Sequence, residues 1–574
     1  MHLSSSGTAA LPPAPHFSSA RPSRALQLLN RPISPFGAAL LAALWIAGIG
    51  NLALWRAMAD LPEVANARGL AFGIGFGVAI AAIHVALFIL LAWRWTLKPV
   101  ITLFLLAAAG GAYFMLSYGV VIDRSMMVNV LLTDGREARE LLSLRMLGAL
   151  LVLGVLPAAL LWRARIAWTT PLRQLRQNAI VFAASCAVLA SAGGLFFQDL
   201  SATMRNHTQL RYLVNPLNSF YALAIVGRQP VQRSGVAVLP LGEDAHLPAL
   251  AAGAKPPLMV MVVGETARAD HIGLNGYARD TTPRLGSEPG VASLRDVWSC
   301  GTNTAASVPC MFSNLGREAF ENRPANTEGL ADVLRRAGYA VLWLDNQAGG
   351  CKGVCDRVPK VDYRALQAAA PELCQGDECF DEVMLRGLDE RIARLPAERR
   401  ARGVVVFMHQ MGSHGPAYFH RTPAAFKKFL PECTTNALQQ CQREEVVNAY
   451  DNTIAYTDHF LASTIDWLKT REAQWAPALV YVSDHGESLG ENNLYLHGLP
   501  YRFAPDVQKH VPWISWFSPQ FERQSGVATA CLKAKADERL SHDDYFHSAL
   551  GLLNVQTRVY EAARDIGASC RAAT

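Results

Sequence analysis

Three hydroxyl side chains, Thr302, Thr304 and Ser307, fall between Cys300 and Cys310. An alcohol at neutral pH is a poor nucleophile until a neighbouring base or metal ion takes its proton. Such helpers occur in short polar clusters elsewhere, each following an apolar run. Glu265 lies in Gly264-Glu265-Thr266-Ala267-Arg268, and Asp484, His485 and Glu487 lie in Ser483-Asp484-His485-Gly486-Glu487. His409 and His414 bracket Gln410-Met411-Gly412-Ser413. Carboxylate and imidazole together suit zinc, with manganese as the other candidate. Glu265, Asp484, His485 and one hydroxyl oxygen would make a four-coordinate zinc that acidifies the alcohol and polarises a phosphoryl oxygen. Lys352, His414 and His497 are available to offset the developing charge or to protonate a leaving alkoxide. A polar loop explains the hydroxyl segment alone, and a cap or satisfied pair explains Asp484-His485 alone. Neither explains three clusters at three run ends. Spacing leaves open which hydroxyl acts.

The runs at 258–263, 340–344, 404–408, 478–482 and 511–516 are short and continuously apolar, and helical stretches such as 328–337 and 444–469 separate them. That alternation predicts a largely parallel sheet covered on both faces, with ligands beyond the carboxyl ends of its strands. Upstream lie five longer apolar runs, 36–56, 69–93, 99–121, 144–162 and 178–197. Each is near the ~20 residues that cross a bilayer as a helix. Arg94 and Lys98, then Arg163, Arg165, Arg173 and Arg176, fill two of the intervening loops, and Arg21, Arg24 and Arg31 stand in an acid-free N-terminal arm. Asp60, Glu63, Asp123, Asp134, Glu137 and Glu140 fill the other loops. The basic loops mark the cytoplasmic side, so everything after about residue 198 is expected outside the cytoplasm. The arm shows no signal-peptide pattern. The expected division is a cytoplasmic arm at 1–35, five transmembrane helices at 36–197, connector helices and linker at 198–256, and a catalytic α/β domain at 257–574.

Eight of the eleven cysteines fall in close pairs: Cys300/Cys310, Cys351/Cys355, Cys374/Cys379 and Cys433/Cys441. None has the C-x2-C spacing of a zinc knuckle, so short disulfide-closed loops in an oxidising compartment are expected. A net charge of +6 over 574 residues, with no dense basic patch, excludes a nucleic-acid surface. Asn129, Thr133 and Glu137 recur every four residues and share a face if helical, which by itself reads as a solvated face.

Taken together these segments resemble the phosphoethanolamine transferases of the Gram-negative inner membrane, in the lipid A branch that includes the mobile colistin-resistance enzymes. The matching stretches are Val263 to Arg268, Cys300-Gly301-Thr302-Asn303-Thr304 through Ser313, Lys352-Gly353-Val354-Cys355-Asp356, Gly412-Ser413-His414-Gly415-Pro416, and Ser483 through Glu491 with His497-Gly498. The resemblance implies a domain of the alkaline-phosphatase/sulfatase type on five spans. It implies Thr304 as the nucleophile that takes phosphoethanolamine from phosphatidylethanolamine and passes it to a lipid A phosphate, giving polymyxin resistance. It implies zinc at Glu265, Thr304, Asp484 and His485, with a second zinc left open. Lys352, His414, Glu487 and His497 match residues that contact the phosphoryl group or that second ion. Asn129, Thr133 and Glu137 match the lipid-substrate region, which reverses the reading as a solvated face. The chain is expected as a monomer in the inner membrane. A core heptose or Kdo acceptor, a phosphoglycerol transferase or phosphodiesterase, and a non-catalytic sensor are the alternatives. The formylglycine signature C-x-P-x-R is absent, since the segment reads Val308-Pro309-Cys310-Met311. The Gly-rich loop before Lys352 has no clear counterpart, and a Cys531–Cys570 pair is not assumed.

Overall fold

In an unbroken apolar run hydropathy cannot locate a helix end, but side-chain caps can. The computed structural model describes residues 32–133, 135–228, 238–347 and 349–571, without the side chains of Arg136, Glu137 and Arg228. Most of the N-terminal arm therefore lies outside the described residues. Seven helices begin the fold: α1 (Pro35–Ala59), α2 (Ala67–Leu90), α3 (Leu97–Tyr118), α4 (Arg124–Leu132), α5 (Gly135–Leu141), α6 (Leu144–Arg163) and α7 (Pro171–Leu195). Ser34, Asn66, Asp123 and Ser143 cap α1, α2, α4 and α6, each accepting a backbone N–H at 2.9–3.1 Å. Among these, α1, α2, α3, α6 and α7 are long and apolar enough to cross a membrane. Lys98 bridges two of them, its Nζ donating to the Trp162 and Ala164 carbonyls at the end of α6, both at 2.9 Å. Residues after α7 fold back onto the bundle. Asn215 donates to the Ala108 carbonyl at 2.6 Å and exchanges bonds with Asn51, so a buried amide pair knits α1, α3 and the connector. Asn218 reaches the Ile122 carbonyl just before α4, at 2.7 Å.

The second half is one eight-stranded sheet with helices on both faces. Its strands are β1 (Pro257–Gly264), β2 (Val291–Trp298), β3 (Ala340–Asp345), β4 (Lys360–Val361), β7 (Val404–His409), β8 (Ala476–Ser483), β11 (His510–Phe517) and β12 (Leu540–Ser541). Two small hairpins supply β5 (Cys374–Gln375) with β6 (Glu378–Cys379) and β9 (Ser488–Leu489) with β10 (Tyr495–Leu496). Spatial order is β12-β2-β11-β8-β1-β7-β3-β4, and β11 alone runs against its neighbours. Alternate residues of β1 enter opposite cores: Met259, Met261 and Val263 on one side, Leu258, Val260 and Val262 on the other. Two-sided burial explains why these strands read as continuous apolar runs. The first core also takes Leu330–Ala337, and the second takes the long helix Arg443–Lys469 together with Tyr113 and Tyr118 of α3. The membrane half thus packs directly into the α/β half.

The four expected cysteine pairs are disulfide-bonded: Cys300–Cys310, Cys351–Cys355, Cys374–Cys379 and Cys433–Cys441. Cys531–Cys570 forms a fifth bond, which the sequence did not lead us to assume. The pairs differ in what they hold. Cys300–Cys310 brackets the hydroxyl segment itself. Cys433–Cys441 instead closes the loop that leads into the helix Arg443–Lys469. There Cys433 is buried and its N–H donates to the Glu445 carbonyl at 2.9 Å, whereas Cys441 is only half-buried, at the rim of the second core. The Cys441 N–H donates to the Leu438 carbonyl at 3.1 Å, inside its own turn. Cys433–Cys441 is thus the expected disulfide, and it staples the scaffold at the entry to that helix.

Candidate active site

The sheet fixes the site because parallel strands end together. β1, β7 and β8 are in register, pairing Val263 with His409 and Gly264 with Ser483. The residues after them, Glu265, Gln410–His414 and Asp484–Glu487, therefore meet at one edge. Gly264 permits this closeness, since a Cβ there would stand 2.4 Å from the Tyr481 ring. Thr266 turns the chain at a φ of 60°. Its hydroxyl donates to Glu265 Oε1 at 2.7 Å, and its N–H donates to Asp484 Oδ1 at 3.1 Å.

Thr304 opens the helix Thr304–Met311, capped by Asn303, whose side chain accepts the Ala306 N–H at 3.0 Å. The three candidate hydroxyls separate here. Thr302 donates to the Leu499 carbonyl at 2.6 Å, and Ser307 donates to the Asp484 carbonyl. Thr304 Oγ1 instead faces Glu265 Oε2 at 3.1 Å and His485 Nε2 at 3.4 Å. It also stands at a helix N-terminus, where the dipole favours negative charge.

Two carboxylates share this buried space with an imidazole, and each group shifts the others. Burial alone would raise the Glu265 carboxyl, but the hydrogen bond and charge of His485, with His414 and His497 nearby, hold it well below the usual range. Burial and the Glu265 charge push Asp484 up to about 6. Burial would lower His485, yet Asp484 and Glu265 raise it to about 10. A cation would relieve that crowding. Asp484 Oδ2 is buried, sits 3.3 Å from His485 Nε2 and accepts no hydrogen bond from any described residue. Ligand atoms of Glu265, Asp484 and His485 all lie within 4.8 Å of one another. An O, O, N set with a hydroxyl beside it fits zinc. The disulfide-bonded cysteines hold no thiolate for a metal.

The remaining predicted residues ring this centre. The His485 and His497 rings are 4.2 Å apart, and His414 lies 6.1 Å beyond His497. Glu487 holds His497 Nδ1 at 2.7 Å and accepts the Tyr418 hydroxyl, which leaves His497 Nε2 for proton transfer. Lys352 projects from the loop after β3 beside Gly349, where a Cβ would stand 2.4 Å from its Nζ. α4 lies across the same loops, since Met126 fills the space beside Gly498 and the Leu132 carbonyl approaches Gly349. Thr133 donates to the Asn129 carbonyl at 2.8 Å, closing the end of α4. The Glu137 side chain lies outside the described residues. Sequence reasoning missed several partners. Gln347, from the Gly-rich loop, donates to Glu265 Oε2 at 2.6 Å. Tyr418 anchors Glu487, and His542 accepts the Cys300 N–H at 3.0 Å from far along the chain. Tyr418 stands four residues past His414, a spacing that could have flagged it; nothing flags His542.

The chain is similar to known proteins along most of its length. Residues 80–231 match the model of the phosphoethanolamine transferase EptA/EptB family, and residues 257–555 match the sulfatase model. Phosphoethanolamine transferase EptA of Escherichia coli K12 is 40% identical over 95% of this chain and 99% of its own. The chain belongs to the phosphoethanolamine transferase family. Phosphatidylethanolamine transferase Mcr-1 of Escherichia coli is 36% identical to this transferase over 92% of the chain and 96% of its own. The integral membrane lipooligosaccharide phosphoethanolamine transferase A of Neisseria meningitidis superposes with a TM-score of 0.88 at 33% identity, over 94% of this transferase and all of that chain. The sulfatase-type fold is thus present without the formylglycine signature.

Proposed function

We propose that this transferase moves phosphoethanolamine from phosphatidylethanolamine to a phosphate of lipid A in two displacements through Thr304. The observation that carries the reading is the Thr304 hydroxyl 3.1 Å from Glu265 at a helix N-terminus, beside Asp484 and His485. Glu265, Asp484, His485 and Thr304 would hold a zinc ion, which when bound supplies a Lewis acid for the alcohol and the phosphoryl oxygen. The Thr304 proton passes to Glu265 Oε2, its nearest acceptor. Thr304 Oγ then bonds to phosphorus as the phosphorus–oxygen bond to diacylglycerol breaks. The leaving alkoxide takes a proton from His497 Nε2 or from His414. A lipid A phosphate oxygen next attacks the same phosphorus, and Thr304 Oγ leaves and recovers its proton. Lys352 offsets charge on the transferring group. The segment holding Asn129, Thr133 and Glu137 presents the lipid donor.

The proposed setting is the inner membrane, with the basic loops in the cytoplasm, the α/β half in the periplasm and the chain acting as a monomer. The kinship to EptA and Mcr-1, named as phosphoethanolamine and phosphatidylethanolamine transferases, supports the chemistry, and an added amine on a lipid A phosphate would weaken attraction of polymyxin. Mass spectrometry of lipopolysaccharide from cells expressing the intact chain or Thr304→Ala tests the whole reading. A phosphoethanolamine adduct on lipid A is expected with the intact chain, reduced on the order of 10³-fold or more with the variant. An adduct on core sugars alone would move the acceptor, and an undiminished adduct with Thr304→Ala would exclude the covalent route.

A further inference from the structure

Away from the catalytic centre, one buried cation ties the membrane-side segment to the loop that carries His414. The Arg421 side chain is 3% exposed. Its Nε donates to the His414 carbonyl at 3.0 Å. Its Nη2 donates to both oxygens of Glu140 at 2.6 and 2.7 Å, and its Nη1 donates to Glu378. The planar fork fixes all three directions at once, which a lysine could not do. Glu140 lies near the end of α5, just after the stretch expected to face the lipid donor. The same turn is pinned twice more. Asn436 donates to the Glu140 carbonyl at 2.7 Å, and Arg139 pairs with Asp377 in the β5–β6 hairpin. A cavity of about 510 Å³, lined by Glu140, Glu378, Asp381, Gly412 and Arg421 among others, opens beside the bridge. On that side the loop borders the cavity, and the Arg421–Glu140 pair links it to α5. Removing Glu140 leaves Arg421 only Glu378 to offset its buried charge.

We propose that Glu140 is a positioning residue for the transfer reaction, acting through Arg421 to hold the His414 loop in register with the α4–α5 segment. The proposal rests on the reading of His414 as a catalytic group. Its test uses the full-length chain in detergent, as wild type, Glu140→Ala, Glu140→Gln, Arg421→Lys and the double variant Glu140→Ala/Arg421→Lys. Hydrogen exchange of peptides covering 413–422 is expected to quicken in Glu140→Ala, and less in Glu140→Gln, while peptides of Arg443–Lys469 keep their rates. Unchanged exchange over 413–422 would overturn the proposal even where no turnover is seen. In vesicles of labelled phosphatidylethanolamine, Glu140→Ala is expected to lower kcat at least about tenfold while KM changes little. Glu140→Gln should recover part of that loss, and the double variant should be no worse than the poorer single one. A kcat loss matched by loss of folded protein, or losses that multiply in the double variant, would show that the pair does not position the loop. A wild type inactive on every lipid acceptor would overturn the functional reading alone, since the exchange result stands apart from it.

Discussion

Thr304, Thr302 and Ser307 are chemically alike, and what separates them is what each hydroxyl faces. Two are spent on backbone carbonyls, and one faces the buried Glu265 carboxylate and the His485 ring. Buried residues under the loop matter as much as those in it. His542 Nδ1 accepts from Cys300, and its Nε2 contacts the Ser483 carbonyl at 2.9 Å, so the neutral ring serves as both acceptor and donor. Burial pushes this imidazole down to about 4 from 6.5. Folding therefore favours the neutral ring. Its stabilisation is whole above pH 6.5 and is lost as the pH falls towards about 4, with a slope up to about 1.4 kcal/mol per pH unit. Denaturant titrations of the full chain should show that slope, and His542→Gln should flatten it. An acid limb of equal steepness in the variant would contradict this account.

At the scale of the element, the helix Thr304–Met311 orients the proposed nucleophile, and its start is set by one side chain. Asn303→Ala removes the cap at a cost of about 1 kcal/mol, and it frees the first turn. Turnover should fall more than the thermal midpoint does, because Thr304 occupies the first helical position. Equal turnover at equal metal content would show that the cap does not aim the hydroxyl. The loop after β7 carries a similar demand. Gly412 has a φ of +49°, and a Cβ would meet the Glu265 carbonyl at 2.9 Å. Gly412→Ala must therefore displace Glu265 or the His414 loop. We expect a weakened metal site, read as loss of zinc by mass spectrometry of the purified variant, and full zinc retention would contradict that.

The whole molecule is organised by contact between its halves. Tyr113 and Tyr118 of α3 enter a core of the sheet, and α4 lies over the loops of Lys352 and His497. A fragment covering 238–574 retains every residue of the metal site but loses this roof. It should bind one zinc and keep its disulfides, yet turn over membrane phosphatidylethanolamine at least about 100-fold more slowly than the full chain. Full activity of the fragment would mean that the α4–α5 segment contributes no positioning.

Much of this was legible in order along the chain. Continuous apolar strands alternating with helices determine a parallel sheet, because burial on both faces leaves no polar alternation. Apolar runs of membrane length determine five spans, and residue types at three strand ends point to the proposed metal site and hydroxyl nucleophile. Close cysteine pairs announced four staples, but not that Cys433–Cys441 would brace a helix entry while Cys300–Cys310 brackets the hydroxyl segment. What lay beyond the sequence depends on geometry between distant segments. β2 mixes buried, half-buried and exposed residues beside the antiparallel β11, so it lacked the signal of the central strands. The choice of Thr304 over its neighbours, the Gln347 and His542 contacts, and the Arg421 bridge to Glu140 each join residues separated by up to several hundred positions. Hydrogen bonds of that range leave no periodicity in sequence, and only the packed fold decides them.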